Sequence, residues 1–424
     1  MAADRRVVYM NARLLDPASG RDERGALLTV GGKIWDVGAD LFADGITDGS
    51  EVVDCRGLCL APGFIDMQVF LGESVETTAR AAAAGGVTTI AAMPNMNPLL
   101  DRVSLVDYIQ RLARDASVRI HPIAAATKDL GGEEMTEIGL LREAGALAFS
   151  DGRKAIADSQ VMRRILTYAG AHDSLVIQHA EDPALAREGV MNEGEIATRL
   201  GLPGIPAEAE VIMIERDLRL VGLTGGRYHV ALVTTAAAVA AIRRAKAEGL
   251  PVTCGTAPHY FALNELAIAE YRTFARTSPP LRAEADRRAV VEGLADGTID
   301  VIVSSHDPHD VESKRLPFDL AASGVIGLET ILPMAMELLH GGHVPLMRLL
   351  AALTSRPAEI LGITGGRLCK GEIADLVLFD PNAPLVIDPA AFHSKAKNSP
   401  FEGRPAQGKV VRTIVGGRTV YQAG

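Results

Sequence analysis

The chain has 424 residues, of which 48% are hydrophobic, so it can bury one large core or two smaller ones. Its formal net charge of −10 disfavours nucleic acid and anionic membrane surfaces as binding partners. Four cysteines without Cys-x-x-Cys spacing, and a start without the apolar core of a signal peptide, predict a reducing, cytoplasmic location.

Both ends of the chain are rich in short β-like runs separated by turns. Val7–Met10 and Ala26–Val30 are such runs near the start, and a Gly-Gly turn follows the second. Near the end, Ala374–Asp380 is typical of a strand, and Val410–Tyr421 contains two strands around another Gly-Gly turn. We therefore predict a small β-sandwich domain assembled from residues 1–60 and 366–424.

The segment between these ends, residues 61–365, alternates short apolar runs with longer helical patterns such as Val161–Leu166 and Ala236–Glu248. The candidate strands are Val87–Met93, Ile120–Ala125, Ala146–Phe149, Leu175–Gln178, Tyr228–Val233 and Val301–Ser304. Repeated βα units predict a parallel α/β sheet that closes into a (β/α)8 TIM barrel. In such barrels the chemistry lies at the carboxyl ends of the strands.

The first barrel strand, within Pro62–Phe70, has the frame of a metallohydrolase strand, Pro-Gly-hydrophobic-Ile-Asp-x-His-x-His. In a strand, residues i and i+2 point to the same face, so a His-x-His pair directs two imidazoles at one metal ion. The two histidine positions here hold Gln68 and Phe70. Because Gln is a poor zinc ligand and Phe cannot bind a metal, we predict a zinc-enzyme fold that has lost its zinc.

Several longer segments resemble those of the dihydroorotase family of the amidohydrolase superfamily, and together they span nearly the whole chain. These segments are Ala84–Thr89, Met93–Pro98, Gln178–Asp182, Gly201–Glu210, Gly327–Thr330 and Asn398–Phe401. The resemblance implies the cyclisation of N-carbamoyl-L-aspartate to dihydroorotate as the family activity. It also implies a binuclear zinc site built from His-x-His of the first strand, an aspartate after a middle strand, two later histidines and a final aspartate.

Most of the zinc ligands that the resemblance implies are missing. Only His179, in the His-Ala-Glu-Asp segment, is clearly retained. Leu232 stands at the ligand position after His229, and Ser305 stands where the final aspartate belongs. Asp151 keeps one acid of the family's Asp-Asp-Gly, and whether it corresponds to the ligand stays open. Zinc requires about four N, S or O donors, so we expect neither a bound metal nor a catalytic residue.

The implied substrate contacts are only partly retained. Gly72 replaces the arginine that would clamp a substrate carboxylate, and glycine cannot substitute for a bidentate guanidinium. Asn95 and His309, the other two implied contacts, are present, and loop hydrogen bonds are the favoured interpretation of both. His179 alone is more typical of a packed interior histidine than of a metal ligand.

Three further segments have a metal-like or acidic character. His306–Asp310 is the most metal-like local cluster, but its acid lies two residues beyond the expected position, so we predict a surface loop. Lys154 could be a carbamylated bridging lysine of the kind that other amidohydrolases use, although its Gly-Arg-Lys turn favours a solvated side chain. Glu181 and Asp182 are expected to begin the next helix as terminal acids.

The favoured function is that of a non-catalytic dihydroorotase homologue. Ligands from several separate strands are lost together, while the glycines and prolines of the barrel frame are retained. The resemblance to catalytically inactive dihydroorotase-like subunits implies aspartate carbamoyltransferase as a partner whose assembly the chain supports. A homodimer is also expected.

Two alternatives remain open on the sequence. One is an active, zinc-dependent cyclic-amide hydrolase with a rebuilt site that uses His179, Asp151, His306, Asp307 and His309. The other is a metabolite-binding barrel that holds a pyrimidine intermediate through Asn95, His309 and the Gly324–Gly327 loop. Phe70 is expected to fill much of the former metal cavity, because close-packed interiors disfavour voids.

Overall fold

The computed structural model describes residues 5–42, 45–46 and 49–424. The first four residues, on which the expectation of no signal peptide partly rests, lie outside this range. The strands of the described chain are β1 (Arg6–Asp16), β2 (Arg21–Val30), β3 (Lys33–Gly38), β4 (Glu51–Asp54), β5 (Cys59–Pro62), β6 (Phe64–Val69), β7 (Val87–Ala92), β8 (Arg119–Pro122), β9 (Ala148–Phe149), β10 (Leu175–Gln178), β11 (Met191–Asn192), β12 (Gly204–Ile205), β13 (Tyr228–Val230), β14 (Val252–Thr256), β15 (Val301–Ile302), β16 (Leu376–Val386), β17 (Pro405–Val415) and β18 (Arg418–Gln422).

The α-helices lie mainly between the strands of the middle segment. Those of the described residues are α1 (Val75–Ala84), α2 (Val103–Ala113), α3 (Ile138–Glu143), α4 (Ser159–Ala171), α5 (Pro183–Ala186), α6 (Glu195–Leu200), α7 (Glu208–Thr224), α8 (Ala236–Ala247), α9 (Pro258–Ala262), α10 (Glu284–Asp296), α11 (Val311–Arg315), α12 (Ile331–His340), α13 (Leu346–Leu353) and α14 (Ser355–Leu361). Short 3-10 helices cover Lys128–Leu130, Glu265–Tyr271, Thr273–Ala275, Leu328–Thr330 and Pro389–Ala391. None of the helices in the described ranges is long and apolar enough to cross a membrane.

Strands from both ends of the chain form one sheet, as predicted. Its order is β18-β17-β16-β5-β1-β2-β3, and β4 pairs with β1. The ends join at β5, which runs parallel to β1 and antiparallel to β16. Buried apolar side chains from both ends, among them Leu14, Leu60 and Leu376, pack into a shared core beside this sheet. The boundaries 1–60, 61–365 and 366–424 themselves stay predictions.

The middle segment forms the predicted closed barrel of eight parallel strands. Strands β6, β7 and β8 are neighbours in one part, and β9, β10, β13, β14 and β15 follow in the other. Parallel bridges between Ala124 and Phe149, and between Val69 and His306, join the two parts and close the barrel. The Phe70 N–H also donates to the His306 carbonyl at 2.9 Å across the closure.

The buried carboxyl of Asp66 fastens the same closure. Its Oδ1 accepts from the Gln68 N–H at 3.1 Å, and its Oδ2 accepts from the Ser304 N–H at 3.2 Å. Burial raises the pKa of Asp66 to about 6. These two bonds bring the ends of β6 and β15 together, where the site residues lie.

The outer helices α4 and α8 confirm the predicted helical segments. Asp158 caps α4 by accepting from the Gln160 and Val161 N–H groups, and Thr235 caps α8 through the Ala238 N–H. The buried face of α8 is rich in alanine, and these small side chains bring the helix close to the barrel.

Candidate functional site

A small cavity lies at the carboxyl ends of the barrel strands. Its volume is about 50 Å³, and the predicted site residues that line it are Gln68, Phe70, His179, Ser305 and Asp307. Arg153, His259 and Ser278, which the sequence interpretation did not select, line it as well. A water molecule occupies about 30 Å³ in the liquid, so this space is on the scale of one or two waters.

Arg153 covers the cavity. Its guanidinium carbon lies 4.1 Å from the centroid of the Phe70 ring, within cation–π distance. Its Nε donates to Asp307 Oδ2 at 2.8 Å, and its Nη2 donates to Asp307 Oδ1. Burial alone would raise the pKa of Asp307, but the hydrogen bonds from Arg153 and the proximity of His309 outweigh burial and lower it. A cation paired with a carboxylate therefore occupies the mouth of the barrel.

The prediction that His306–Asp310 is a surface loop is wrong for its first three residues. His306, Asp307 and Pro308 are buried, because the chain turns back into the barrel where His306 bridges Val69 and Val325. His306 Nδ1 accepts from the Gly327 N–H at 3.3 Å, and burial lowers the pKa of His306 to about 4. The displaced acid thus still faces the cavity, where it binds Arg153.

His179 has hydrogen-bonding partners within the protein. The Ser278 hydroxyl lies 3.1 Å from His179 Nε2 and donates to Glu181 Oε1 at 3.2 Å. Burial would raise the pKa of Glu181, but His179 and the charge of Arg282 lower it. Asp182 caps α5 as predicted, by accepting from the Ala184 N–H. The expectation for Glu181 is wrong, because its carboxylate binds Ser278 near the cavity and caps no helix.

Two of the positions where the family resemblance implies zinc ligands hold residues that cannot bind zinc well. Leu232 is 1% exposed and belongs to an apolar cluster with Ile65, Met67 and Tyr260. Ser305 lies just beyond β15 with φ of 49°, a left-handed conformation that Asp adopts more readily than most other residues. The backbone at Ser305 therefore fits the aspartate that the family resemblance implies there.

Asp151 is fully engaged in holding a loop. Its Oδ1 accepts from the Ala126 and Thr127 N–H groups at 3.1 and 2.9 Å, and its Oδ2 accepts from the Thr127 hydroxyl. Burial raises the pKa of Asp151 despite these bonds. Whichever acid of the family motif it represents, its oxygens already have donors.

Asn95 and His309, the implied substrate contacts, do not line the cavity themselves, but each lies against a residue that does. Asn95 packs on Gly152, where an added Cβ would lie 1.5 Å from Asn95 Oδ1. His309 Nε2 lies 3.5 Å from Asp307 Oδ2. At Gly72, an added Cβ would lie 2.8 Å from the Pro308 carbonyl oxygen, so the chain occupies the space that an arginine side chain needs.

Lys154 is exposed, as the favoured interpretation predicted. Its Nζ donates to the Leu130 carbonyl at 3.3 Å. A bridging carbamylated lysine would instead face the metal inside the barrel.

The donors that remain do not fit zinc. Asp151 binds Thr127, Asp307 binds Arg153, and His179 binds Ser278. Over the described ranges, no group of three or more His, Cys, Asp or Glu residues is arranged to hold a metal ion. Zinc requires about four donors in a fixed geometry, and each of these groups already serves a contact within the protein.

Two of the cavity residues that the sequence interpretation missed, Arg153 and His259, lie shortly after a recognised motif or a barrel strand. Arg153 comes directly after Asp151-Gly152, and His259 comes three residues after β14. Burial lowers the pKa of His259 to about 3, so this imidazole is neutral in the folded protein. Their positions at the carboxyl ends of barrel strands were a usable signal, because such positions face the cavity.

Comparison with known proteins identifies related chains and folds. Residues 57–238 match the family described as "Dihydro-orotase-like", and residues 333–421 match "Amidohydrolase family". The chain is 46% identical to "Dihydroorotase" of Anaplasma phagocytophilum (strain HZ), over 98% of this chain and 95% of that protein. It is 42% identical to "Dihydroorotase" of Pelobacter propionicus (strain DSM 2379 / NBRC 103807 / OttBd1), over 98% and 99%.

Solved structures share the whole architecture. "L-Hydantoinase (Dihydropyrimidinase) from Arthrobacter aurescens" has a TM-score of 0.88 and 26% identity, and the match covers 99% of this chain and 96% of that one. A dihydropyrimidinase from Brevibacillus agri NCHU1002 has a TM-score of 0.85 at 23% identity, over 98% and 95%. These matches support the barrel with a β-sandwich domain formed by the two ends of the chain.

Proposed function

Because this chain belongs to the dihydroorotase family of the amidohydrolase superfamily, we propose that it is a non-catalytic member that serves pyrimidine biosynthesis as an assembly subunit. The observation that carries the proposal is the Arg153–Asp307 pair stacked on Phe70 at the barrel mouth. The positive charge of this guanidinium at the barrel mouth repels a second cation, such as a metal ion. Leu232 also supports the proposal, because an apolar side chain packed in a buried cluster stands where the family resemblance implies a zinc ligand.

The proposed partner is aspartate carbamoyltransferase. This part of the proposal depends on the family resemblance, and so do the homodimer and the cytoplasmic location. Free thiols at all four cysteines are consistent with a reducing compartment. Co-expression of the two proteins followed by size-exclusion chromatography tests the partnership, and we expect them to elute together. Independent elution at micromolar concentration would reject the assembly role.

Zinc content tests the loss of catalysis separately. After expression in zinc-supplemented medium, we expect the purified protein to contain much less than about one zinc ion per chain, because zinc needs about four donors. The matched comparison is a catalytically active dihydroorotase prepared in the same way. One or two tightly held equivalents, together with turnover of dihydroorotate, would reject the proposal.

A second candidate function is a metal-dependent cyclic-amide hydrolase with a rebuilt site. The observation that favours it is the name "Dihydroorotase" carried by relatives that are 42–46% identical over nearly the full chain. Against it, the donor atoms of Asp151, Asp307 and His179 have partners within the protein, and Gly72 leaves no carboxylate clamp. In its favour, His306 Nε2 and His309 Nε2 are buried without a hydrogen-bond partner among the described residues. Hydrolysis of any cyclic amide that depends on added metal would favour this candidate over the first.

A metabolite-binding barrel has weaker support. Pockets that bind small molecules are usually about 300–1,000 Å³, whereas the barrel cavity is about 50 Å³. Of its proposed contacts, Gly324 and Val325 of the Gly324–Gly327 loop line the cavity, whereas Asn95 and His309 do not. A thermal-shift measurement with carbamoyl aspartate and dihydroorotate on the wild type and on Asn95→Ala tests this candidate, and we expect no shift that depends on Asn95.

A further inference from the structure

A second, larger cleft lies beside the barrel mouth. It is lined by Tyr271–Phe274, by His309, Asp310 and residues of helix α11, and by Lys397, Asn398 and Glu402, and its volume is about 580 Å³. This size is typical of sites for small molecules. Four cationic side chains line it: Arg272, Lys314, Arg315 and Lys397. We propose that this cleft binds an oxyanion, the phosphate or carboxylate group of a small molecule.

The positive charge of the cleft is largely uncompensated. Within the described part of the chain, Arg272, Lys314 and Lys397 form no salt bridge. Lys397 Nζ donates to the carbonyls of Phe392 and Ser394 at 3.1 and 2.8 Å. Carbonyl oxygens satisfy the hydrogen bonds of an ammonium without neutralising its charge, so an anion would be attracted to this cleft.

Lys314 gives the strongest argument for an anion. It is 3% exposed, and its ammonium donates to the carbonyls of Thr273 and Ala322 at 3.2 and 2.7 Å. Burial, opposed by the charge of Asp307 and aided by that of Arg276, lowers the pKa of Lys314 to about 8. A buried ammonium is costly without an opposite charge, and a bound oxyanion would supply one.

The acids of the cleft do not cancel this charge. Asp310 accepts from the Ser313 N–H at 2.7 Å and serves as the cap of α11. Glu402 is an exposed residue at the opposite side. The lining thus holds two carboxylates and four cations, of which Arg315 is paired with Glu312 at 3.5 Å, in a chain whose overall charge is negative.

An apolar wall completes the cleft. Tyr271, Phe274 and Val311 line it, and the Tyr271 hydroxyl donates to the Leu200 carbonyl at 2.7 Å, which holds the ring in place. Cations beside aromatic rings suit a molecule that carries its oxyanion on a small apolar or planar group. The cleft adjoins the barrel cavity at His309, which the family resemblance implies as a substrate contact, whereas its four cations lie outside the barrel cavity lining.

Isothermal titration of the full chain with inorganic phosphate, and separately with succinate, tests the proposal. Sodium chloride is used to match the ionic strength of every titration, because exposed charges are screened by salt. We expect saturable binding of about one equivalent of at least one probe. Phosphate alone would indicate a phosphorylated ligand, and succinate alone a carboxylate ligand. Failure of both probes to saturate would overturn the proposal.

Variants test whether the anion binds in this cleft. We expect the double variant Arg272→Ala/Lys397→Ala to weaken binding at least about tenfold, because two unpaired cations are removed. The control is Arg288→Ala on α10, an exposed arginine paired with Glu284 and absent from the cleft lining. Circular dichroism verifies that each variant is folded. Equal affinity of the double variant and the control would also overturn the proposal.

Discussion

Arg153 and Asp307 form a two-point ion pair between residues 154 positions apart in the sequence. The side chain of Arg153 is 40% exposed, whereas that of Asp307 is 7% exposed. The buried carboxylate therefore depends on a partner that reaches it from the barrel mouth. Removing the partner of a buried charge costs more than removing the charge itself, because the charge left behind has neither solvent nor counter-charge.

The ion pair predicts unequal effects of its two single substitutions. We expect Arg153→Met to lower the free energy of unfolding by about 2 kcal/mol, since it strands the Asp307 carboxylate. We expect Asp307→Asn to lower it by about 1 kcal/mol, because the half-exposed guanidinium can still reach water. Urea denaturation measures both values. A smaller loss for Arg153→Met than for Asp307→Asn would contradict this account.

The packing of Leu232 predicts that restoring a histidine is costly. Leu232→His places an imidazole in the apolar cluster with Ile65 and Met67, and we expect a loss of about 2 kcal/mol. The control Leu232→Met keeps volume and polarity and should cost less than about 1.5 kcal/mol. Chemical denaturation compares the two. A Leu232→His protein as stable as the control, with a melting temperature raised by zinc, would indicate that the metal cavity persists.

Much of the frame could be predicted because it depends on local patterns. The predicted bounds of β10, Leu175–Gln178, agree with the structure, since its apolar run has polar neighbours on both sides. The predicted strand Tyr228–Val233 ends earlier, at Val230. Residues after Val230 remain buried and apolar while the chain leaves the sheet, so hydrophobicity alone could not locate the strand end.

The composition of the site was less predictable than the frame. The unsuitability of Gln68 and Phe70 for zinc follows from side-chain chemistry alone. Arg153 contacts Asp307 only because the barrel closes, and a local sequence pattern cannot predict a contact between residues so far apart in the chain. The buried position of Asp307 was mispredicted for the same reason, since the chain beyond β15 continues to pair with β6 through His306.

The contact between Gly72 and Pro308 predicts that an arginine cannot simply be restored. An added Cβ at Gly72 would lie 2.8 Å from the Pro308 carbonyl, so we expect Gly72→Ala and Gly72→Arg each to cost about 1–2 kcal/mol. Gly38→Ala is the control, because a Cβ there meets nothing within 4 Å. Thermal denaturation compares the three variants. A Gly72→Arg protein of wild-type stability that binds carbamoyl aspartate would show that the clamp position is still open.

Burial of His259 predicts a specific loss of stability in acid. Its folded pKa is about 3, below the ordinary 6.5, so the unfolded chain takes up a proton as the pH falls below about 6.5 while the folded chain does not. Between about pH 7.5 and about pH 5, this site should remove about 2 kcal/mol of stability. His259→Gln should therefore lose about 2 kcal/mol less than the wild type over this interval, as measured by urea denaturation at both pH values. The exposed His343→Gln serves as the control and should behave like the wild type. Identical pH dependence in all three proteins would mean that His259 in the folded chain takes up its proton near the ordinary pKa of 6.5, against the effect of burial.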